Sequence, residues 1–453
     1  MRILGVTPML PNGTAVNAGP VVMYHSLAAI AARHDLTLAT FAGPDPSEGD
    51  AVERLRELGI EAHVLWRRPP PRILRRWKLL AAFAPMPDPG EWSSAAESLS
   101  PSRDRHLLRA SPIRRGRRRF QQARYWMRGT HPLRTLQFWE PEMQHLLDKL
   151  LAERRFDLLH MEHSVMGGYR YGTRLPRVLA EYEVQHHAAQ LTPRHEASWR
   201  FRAIAKAEAR RWESYQRGVW HGFDRIQVFT EHDAKAVRTL APELAERVRV
   251  NPFGIELRQQ ADPAREESGT VVFVGGFNHL PNLDAALWLG REIMPALRLA
   301  YPRVRLIVVG SDPPSEVRAL CCDDIVVTGR VPNVEAYLER ASVVLAPMRM
   351  GGGMRLKVLQ AMAFGKAVVT TPLGAEGLAV EDGEAPVVLG TDADELARRT
   401  ADLLASSRKR RELGERARAF VARHHTWSEY AERLDAMYSG LMHDDAAVAG
   451  PRL

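Results

Sequence analysis

Short apolar runs, many of them β-branched, alternate along this chain with stretches of helical periodicity, and this alternation constrains the fold more than any other feature. In the first half, strands are predicted at residues 3–7, 36–41, 62–65, 158–161, 178–181, 226–229 and 248–250. In the second half, they are predicted at 270–274, 304–309, 325–327, 343–346, 367–370 and 386–389. Strands that alternate with helices form βαβ units and a parallel sheet. We therefore predict an α/β protein with two doubly wound, Rossmann-like domains that face each other across a cleft.

The length of 453 residues also favours two domains, because a single hydrophobic core rarely supports so long a chain. Residues 251–268 lose apolar periodicity and gather Gly, Pro and charge, which is typical of a linker. We expect a first domain at 1–256 and a second at 257–425. A last helix at 426–442 is expected to cross back to the first domain, and residues 443–453 are expected to form a loose tail.

The positive charge is concentrated in an insert of the first domain, residues 67–134. This basic insert holds 17 Arg and Lys against four Asp and Glu, whereas the whole chain has a net charge of +9. Trp66, Trp77 and Phe83 interleave with its cations, a composition suited to an anionic membrane surface. An Arg-rich solvated surface is the structural alternative. Nucleic acid is not an expected partner, because we find no recognisable binding module or zinc pattern.

Cysteine usage and hydropathy indicate where such a protein works. Cys321 and Cys322 are the only cysteines, and their adjacency excludes a disulfide framework and gives no zinc-ligand spacing. No segment approaches the roughly 18 uninterrupted apolar residues of a membrane span. Residues 1–10 are better explained as a first strand than as a secretory signal. We expect a cytoplasmic protein, and peripheral attachment to the inner face of the plasma membrane is a further hypothesis.

Residues 351–378, GGGMRLKVLQAMAFGKAVVTTPLGAEGL, combine a glycine loop, a helix and a buried strand. The three glycines allow close approach of a ligand to free backbone N–H groups. A helix is predicted over 354–364, and Gly353, Lys357 and Gln360 share one side of it. The predicted buried face consists of Met354, Val358, Ala361 and Met362. A cation at a helix N-terminus suits a nucleotide diphosphate, although a solvated Lys and Gln beside a glycine turn is the alternative interpretation.

A second glycine turn, GGFNHLPN, follows the strand predicted at 270–274. Gly275 and Gly276 permit a tight turn and the close approach of a phosphate. Asn282 is predicted to cap a helix that begins near residue 283. In open parallel sheets, ligands bind beyond the carboxyl ends of the strands, so both glycine turns are predicted to line one cleft.

Taken together, GGFNHLPNLDAALWL, VRLIVVGS, VVTGRVPNVEAYLERASVVLAPM and the 351–378 segment resemble the second domain of retaining GT-B-fold glycosyltransferases of the group 1 class. They look most like a bacterial envelope and exopolysaccharide branch of that class. The resemblance runs from about residue 269 to 438. In the first domain it is limited to MRILGVTPMLPNGTAVNAG, which contains Gly13 and Gly19 in an acceptor-side loop, and to the runs FDLLHMEHS and VRVNPFGIEL.

The resemblance implies a nucleotide-sugar donor bound mainly by the second domain and a saccharide or lipid-linked acceptor. Arg355 and Lys357 would neutralise charge on the leaving diphosphate. The implied donor-binding residues are Gly275, Gly276, Asn278, Gly310, Arg330, Val331, Gly351, Gly352, Gly353 and Gln360. No cofactor or metal is expected, because these cations and helix N-termini can take the metal's role and no DxD-like acidic metal motif lies in a suitable loop.

The chain departs from the family at a pair of glutamates spaced E-x(7)-E. Gly352 stands at the first position, where a small residue is also usual in the resembling branch. Gln360 stands at the second, where its amide can still hydrogen-bond ribose hydroxyls without carrying charge. These changes bear on donor identity and rate, and they leave a catalytically weak or inactive nucleotide-binding scaffold as the alternative function.

Two residues of the first domain are candidates to touch the sugar. Tyr182, in VLAEYEVQHH, stands by register where relatives often present a histidine, and His163 ends the run DLLHMEHS. The family implies same-face attack, in which the diphosphate accepts the acceptor's proton and no enzymic nucleophile is needed. The residues therefore do not single out one catalytic group. A NAD-dependent dehydrogenase is disfavoured, because no G-x-G-x-x-G follows the first strand.

Overall fold

The computed structural model describes residues 1–15, 18–43, 47–66, 131–132, 135, 138–172, 174–184, 199–257, 260–277, 279–378 and 385–448. All but a few residues of the basic insert at 67–134 lie outside the described residues, as does Asn278. Of the predicted tail at 443–453, residues 449–453 lie outside the described residues.

The first domain is built on a seven-stranded sheet. Its strands are β1 Arg2–Thr7, β2 Asp35–Ala42, β3 Glu61–Trp66, β4 Leu158–Glu162, β5 Arg177–Glu181, β6 Arg225–Val228 and β7 Val248–Val250. Their order is β3-β2-β1-β4-β5-β6-β7, and every pairing is parallel. The prediction of these strands is confirmed to within one residue at each end.

A second parallel sheet of six strands forms the core of the second domain. Its strands are β8 Thr270–Val274, β9 Arg305–Val309, β10 Ile325–Gly329, β11 Val343–Ala346, β12 Ala367–Thr370 and β13 Val388–Leu389. Their order is β10-β9-β8-β11-β12-β13. All four residues of β11 and all four of β12 are buried, as expected for β-branched strands covered by helices on both faces. The predicted second doubly wound domain is confirmed.

Helices follow most of the strands and cover the sheets. Those of the first domain are α1 Ala18–Ala31, α2 Ser47–Glu57, α3 Pro141–Glu153, α4 Trp199–Trp220 and α5 Glu231–Leu240. Those that follow are α6 Leu280–Trp288, α7 Met294–Ala300, α8 Ser315–Arg318, α9 Glu335–Arg340, α10 Leu356–Ala363, α11 Ala393–Leu404, α12 Ser407–His424 and α13 Trp427–Val448. Polar N-caps start several of them. The Thr230 hydroxyl, for example, accepts from Asp233 N at 3.0 Å at the start of α5.

Three local predictions need correction. Helix α10 begins at Leu356 rather than 354, because Arg355 has extended backbone angles (φ −93°, ψ 91°). Asn282 is not an N-cap: α6 begins earlier, at Leu280, with a proline in its first turn, so Asn282 lies inside the helix. The last helix continues to Val448, six residues beyond its predicted end.

Helix α13 follows the second domain in sequence but packs on the first. The Tyr430 hydroxyl lies 2.8 Å from Ser26 Oγ of α1 and accepts from Gln227 Nε2 of β6 at 3.1 Å. The Tyr438 hydroxyl lies 2.8 Å from His160 Nδ1 of β4. These buried hydrogen bonds fix the helix to the first sheet, so the chain crosses between the domains twice.

The segment by which the chain returns to the first domain packs tightly against the segment by which it leaves. An ideal Cβ at Gly254, in the linker after β7, would lie 2.4 Å from Trp427 N at the start of α13. No side chain larger than hydrogen fits there, because backbone atoms cannot move aside as flexible side chains can. The close contact at Gly254 therefore holds the two interdomain segments together.

Two helical glycines allow a matched test of packing in the second domain and α13. An ideal Cβ at Gly414 in α12 would lie 1.9 Å from Gly365 O, whereas one at Gly440 in α13 meets nothing within 4 Å. We expect Gly414→Ala to destabilise the protein by about 1–3 kcal/mol through overpacking. Gly440→Ala should stabilise it by about 0.5–1 kcal/mol through helix propensity. Urea denaturation midpoints measure both changes, and equal midpoints for the two variants would contradict the described packing.

Candidate functional site

The two glycine turns meet at the point where the strand order of the second sheet reverses. Strand β8 lies between β9 and β11, so the turns after β8 and β11 leave the sheet in opposite directions and open a crevice. At Gly310, after β9, an ideal Cβ would lie 2.0 Å from Gly275 O. Glycine at this position lets the ends of β8 and β9 approach closely enough to form the floor of the crevice.

Lys357, in the first turn of α10, points its ammonium group into this crevice. Nζ lies 4.8 Å from the centroid of the Phe273 ring and donates a hydrogen bond to Asn282 Oδ1. Asn282 Nδ2 in turn donates to Gly276 O at 2.7 Å. Asn282 therefore ties the cation to the first glycine turn, a role that replaces its predicted capping role.

The surroundings of Lys357 favour the uncharged form of its amino group. Burial lowers the pKa of Lys357 to about 7, and the nearby Arg355 charge adds to this effect. No carboxylate forms an ion pair with Lys357 among the residues that the structure describes. A buried cation without a counterion is costly, and an anionic ligand would offset that cost.

Arg355 braces the second glycine turn. Its guanidinium donates to Gly352 O at 2.5 Å and to Gly351 O at 2.8 Å, and only 6% of the residue is exposed. Burial lowers the pKa of Arg355, whereas the nearby carboxylates of Glu376 and Glu183 act to raise it. In this arrangement the guanidinium shapes the turn. Its contact with a leaving diphosphate stays a prediction.

The glycine turn at 351–353 lies directly against the first domain. Gly351 and Gly353 have φ of 94° and 74°, a region that other residues rarely adopt. An ideal Cβ at Gly353 would lie 2.8 Å from Tyr182 O, and Gly352 N donates to Glu183 Oε1 at 3.4 Å. The glycine turn therefore contacts the first domain directly, and Tyr182 forms part of the first-domain wall of the cleft.

Three carboxyl groups around Arg355 were missed by the sequence analysis. Glu183 follows β5, Asp233 lies in the first turn of α5 after β6, and Glu376 lies in the turn after β12. Burial raises the pKa of both Asp233 and Glu376, and Glu376 Oε1 also lies 2.9 Å from His232 Nδ1 of the first domain. Each of the three follows the carboxyl end of a strand, and this position in the sequence is the signal that could have identified them.

The other predicted residues lie farther from Lys357 or carry no described contact to it. Arg330 and Val331 follow β10, an edge strand two positions from β8, and this spacing places them roughly 10 Å along the sheet. Gln360 is half-buried on α10. Gly13 and Gly19 belong to the first domain, where an ideal Cβ at Gly13 would lie 2.9 Å from the Tyr24 ring. Their predicted roles remain predictions.

Within the ranges that the structure describes, no cluster of three or more His, Cys, Asp or Glu side chains could hold a metal ion. Within the same ranges, no helix combines the length and apolar character needed to cross a bilayer.

Sequence comparisons match one protein family over part of the second domain and give several relatives. Residues 268–406 match the protein family described as glycosyl transferases group 1. A lipopolysaccharide core biosynthesis mannosyltransferase of Rhizobium leguminosarum bv. viciae is 31% identical over 130 residues, 28% of this chain and 37% of that protein. A phosphatidyl-myo-inositol mannosyltransferase of Mycobacterium tuberculosis is 26% identical over 223 residues, 47% of this chain and 58% of that protein. The matches thus span less than two thirds of either relative.

Solved structures resemble the whole chain. Sucrose-phosphate synthase from Thermosynechococcus elongatus has a TM-score of 0.64 at 15% identity and covers 98% of this chain and 100% of its own. HepE from Anabaena in complex with UDP has a TM-score of 0.59 at 13% identity and covers 97% of this chain and 100% of its own. At such identities the likeness shows the fold alone. The predicted GT-B fold, two parallel-sheet α/β domains, is confirmed.

The depressed pKa of Lys357 predicts a pH-dependent stability cost. The pKa falls from an ordinary 10.5 to about 7 on folding, so between these values the unfolded chain binds more protons and wild-type stability rises with pH. We expect Lys357→Met to be more stable than wild type by about 2 kcal/mol at pH 6, with the gap narrowing towards pH 9. Urea denaturation across this range measures the gap. Lys235→Met, at an exposed lysine of α5, is the control and should show no pH-dependent gap.

Proposed function

We propose that this protein is a glycosyltransferase that moves a sugar from a nucleotide-sugar donor to a saccharide or lipid-linked acceptor. The observation that carries the proposal is the half-buried Lys357, whose amino group lies without an ion-pair partner among the described residues, beside two glycine turns at a strand-order reversal. The group 1 family match over the same segment and the mannosyltransferase relatives support it. HepE, which shares the fold, has been solved with UDP and with UDP and glucose.

In the proposed reaction, negative charge grows on the diphosphate as the bond to the sugar breaks. Lys357 is proposed to balance that charge. The free-energy cost of removing its amino group from water belongs to folding and not to the reaction. The glycine turn at 351–353 supplies backbone N–H groups near the N-terminus of α10, which adds a positive dipole. A site built this way performs the step without a metal ion, so we propose metal-independent transfer.

The first domain is proposed to bind the acceptor and to close on the donor sugar. Tyr182 and Glu183 already touch the glycine turn from this side, and His163 stacks on the Tyr182 ring at 6.0 Å with nearly parallel planes. We propose transfer with retention, in which the departing diphosphate accepts the acceptor's proton.

Gly352 and Gln360 are the observations that favour the alternative function, a nucleotide-binding scaffold with little or no turnover. Neither residue carries the negative charge that the family pattern places there. Arg355, Asp233 and Glu376 nevertheless leave the site rich in charged groups. Release of nucleotide from a sugar donor separates the two functions, because a scaffold binds the nucleotide without cleaving the donor.

We further propose a role in envelope or exopolysaccharide assembly, on the cytoplasmic face of the membrane. The basic insert at 67–134 supports this by its composition, although most of it lies outside the described residues. The names of the two relatives support the proposal, because they refer to lipopolysaccharide and to phosphatidyl-myo-inositol.

Nucleotide binding tests the central observation. Lys357→Met should weaken UDP or GDP binding by about 1–3 kcal/mol, because a charge-assisted contact to phosphate is lost. Since an anion restores the charge of Lys357, binding to the wild type at pH 8 should take up close to one proton. Titration calorimetry in buffers of different ionisation enthalpy measures both quantities. Unchanged affinity in Lys357→Met would contradict the site, and Lys235→Met is again the matched control.

Membrane attachment has its own test. Deletion of residues 67–119 should abolish pelleting with vesicles that contain anionic lipid, and binding to neutral vesicles should be weak for both forms. The charge of the insert should also make binding fall steeply as salt rises. Equal pelleting of the deleted and full-length proteins would show that the insert does not attach the protein to lipid.

A further inference from the structure

Arg349 is held on helix α6 by two kinds of contact. The residue lies in the turn after β11, two positions before Gly351. Its guanidinium carbon lies 4.4 Å from the centroid of the Trp288 ring. Its Nε and Nη2 donate to the two carboxylate oxygens of Asp284, at 3.1 and 2.8 Å. A guanidinium that forms a bidentate ion pair and also stacks on a ring is fixed in both position and orientation.

Helix α6 connects these contacts to the first glycine turn. Asp284 and Trp288 are four positions apart, so they share one face of the helix. Asn282, in the first turn of α6, donates to Gly276 O at 2.7 Å. The helix therefore holds the first glycine turn at one point, and at another it holds Arg349, which leads into the second glycine turn.

The second glycine turn packs directly on the same helix. An ideal Cβ at Gly351 would lie 2.9 Å from Pro281 Cγ in the first turn of α6. A van der Waals contact of this kind is weak by itself and gives little resistance to opening. The ion pair and the stacked ring of Arg349 resist such opening, because both would have to be broken. Arg349 therefore keeps the second glycine turn against the helix that supports the first.

The charge of Arg349 is already balanced within the protein. Asp284 is its ion-pair partner, and the two side chains are 40% and 13% exposed. Lys357, in contrast, makes no ion pair with a carboxylate among the residues that the structure places. The two cations thus differ in what they can do, since Lys357 can offer charge to an anion whereas Arg349 offers a fixed geometry.

We propose that Arg349 is a positioning residue that holds the two glycine turns at the separation that a nucleoside diphosphate needs in order to contact both. If the turns are fixed before binding, the affinity is not reduced by the cost of ordering them. A diphosphate has two charged groups and can reach both turns, whereas a monophosphate has one and depends less on their separation. Arg349 acts through its contacts with Asp284 and Trp288. This inference rests on the proposed function, since it takes the ligand to be a nucleoside diphosphate.

Binding of paired nucleotides tests this role. For UDP with UMP, and for GDP with GMP, titration calorimetry gives the ratio of diphosphate affinity to monophosphate affinity. Arg349→Met should lower this ratio by about 5- to 20-fold, because the diphosphate must then order the loosened turns. Arg349→Lys should recover little of the loss, because an ammonium group keeps the charge but cannot pair bidentately. A merely structural role would weaken the binding of both ligands alike and leave the ratio unchanged.

Two further variants sharpen the test. Asp284→Asn weakens the ion pair and leaves the Arg349 charge without its counterion, so the ratio should fall if Arg349 positions the turns and rise if its guanidinium binds phosphate. Arg298→Met is the matched control. Arg298 of α7 forms a bidentate ion pair with Asp324 in the same domain, at 2.6 and 2.8 Å, and its loss should leave the ratio at the wild-type value.

The outcomes separate this inference from the proposed function. An unchanged ratio in Arg349→Met, full recovery in Arg349→Lys or a higher ratio in Asp284→Asn would each overturn the inference. If Arg349→Met does not fold, the milder variants Arg349→Lys and Asp284→Asn carry the test, and both should have a ratio below that of wild type. Failure of the donor site would appear instead as unchanged nucleotide affinity in Lys357→Met.

Discussion

The parallel direction of every described strand pairing is the constraint on which the rest of this structure depends. Within each sheet all strands deliver their carboxyl ends to one edge, so the turns that follow them are forced into the same small region. In the second domain these turns hold Gly275, Gly310, Gly353 and Glu376; in the first, they hold His163 and Glu183. Residues from distant parts of the chain therefore converge without any long loop to bring them together.

Charge in the cleft is arranged at a cost to stability. Lys357 lies over an aromatic ring and donates a hydrogen bond to an amide oxygen. The Arg355 guanidinium donates its hydrogen bonds to backbone carbonyls of the glycine turn. Burial raises the pKa of Asp233 and of Glu376. None of these arrangements is the most stable one for the folded protein alone. A site whose charges are only partly compensated binds a charged ligand strongly, because the ligand supplies the missing partner.

The two domains are connected by more than the linker. Helix α13 donates Tyr430 and Tyr438 to the buried polar network of the first domain, and Gly254 allows it to pass against the linker. Aromatic rings continue the contact from Trp427 through Phe253 and Phe229 to Tyr182. The segments that join the domains thus pack against the same side chains that form the first-domain wall of the cleft.

The sequence by itself determined the positions of the strands and of the glycine turns, the presence of two doubly wound domains, and the place of Lys357 on the helix after the second turn. Each of these depends on local periodicity or on a residue type with few alternatives. Tertiary structure alone decided what those residues contact. Asn282 binds Lys357 instead of capping a helix, Arg355 holds the carbonyls of its own turn, and Glu183 and Glu376 surround Arg355 from two domains. The contact between Glu181 Oε1 and His163 Nδ1, at 3.8 Å, was equally hidden, since 18 positions separate the two residues and only the register of β4 against β5 makes them neighbours. Contacts of this kind depend on which strand ends meet, and that follows from sheet order rather than from any local pattern.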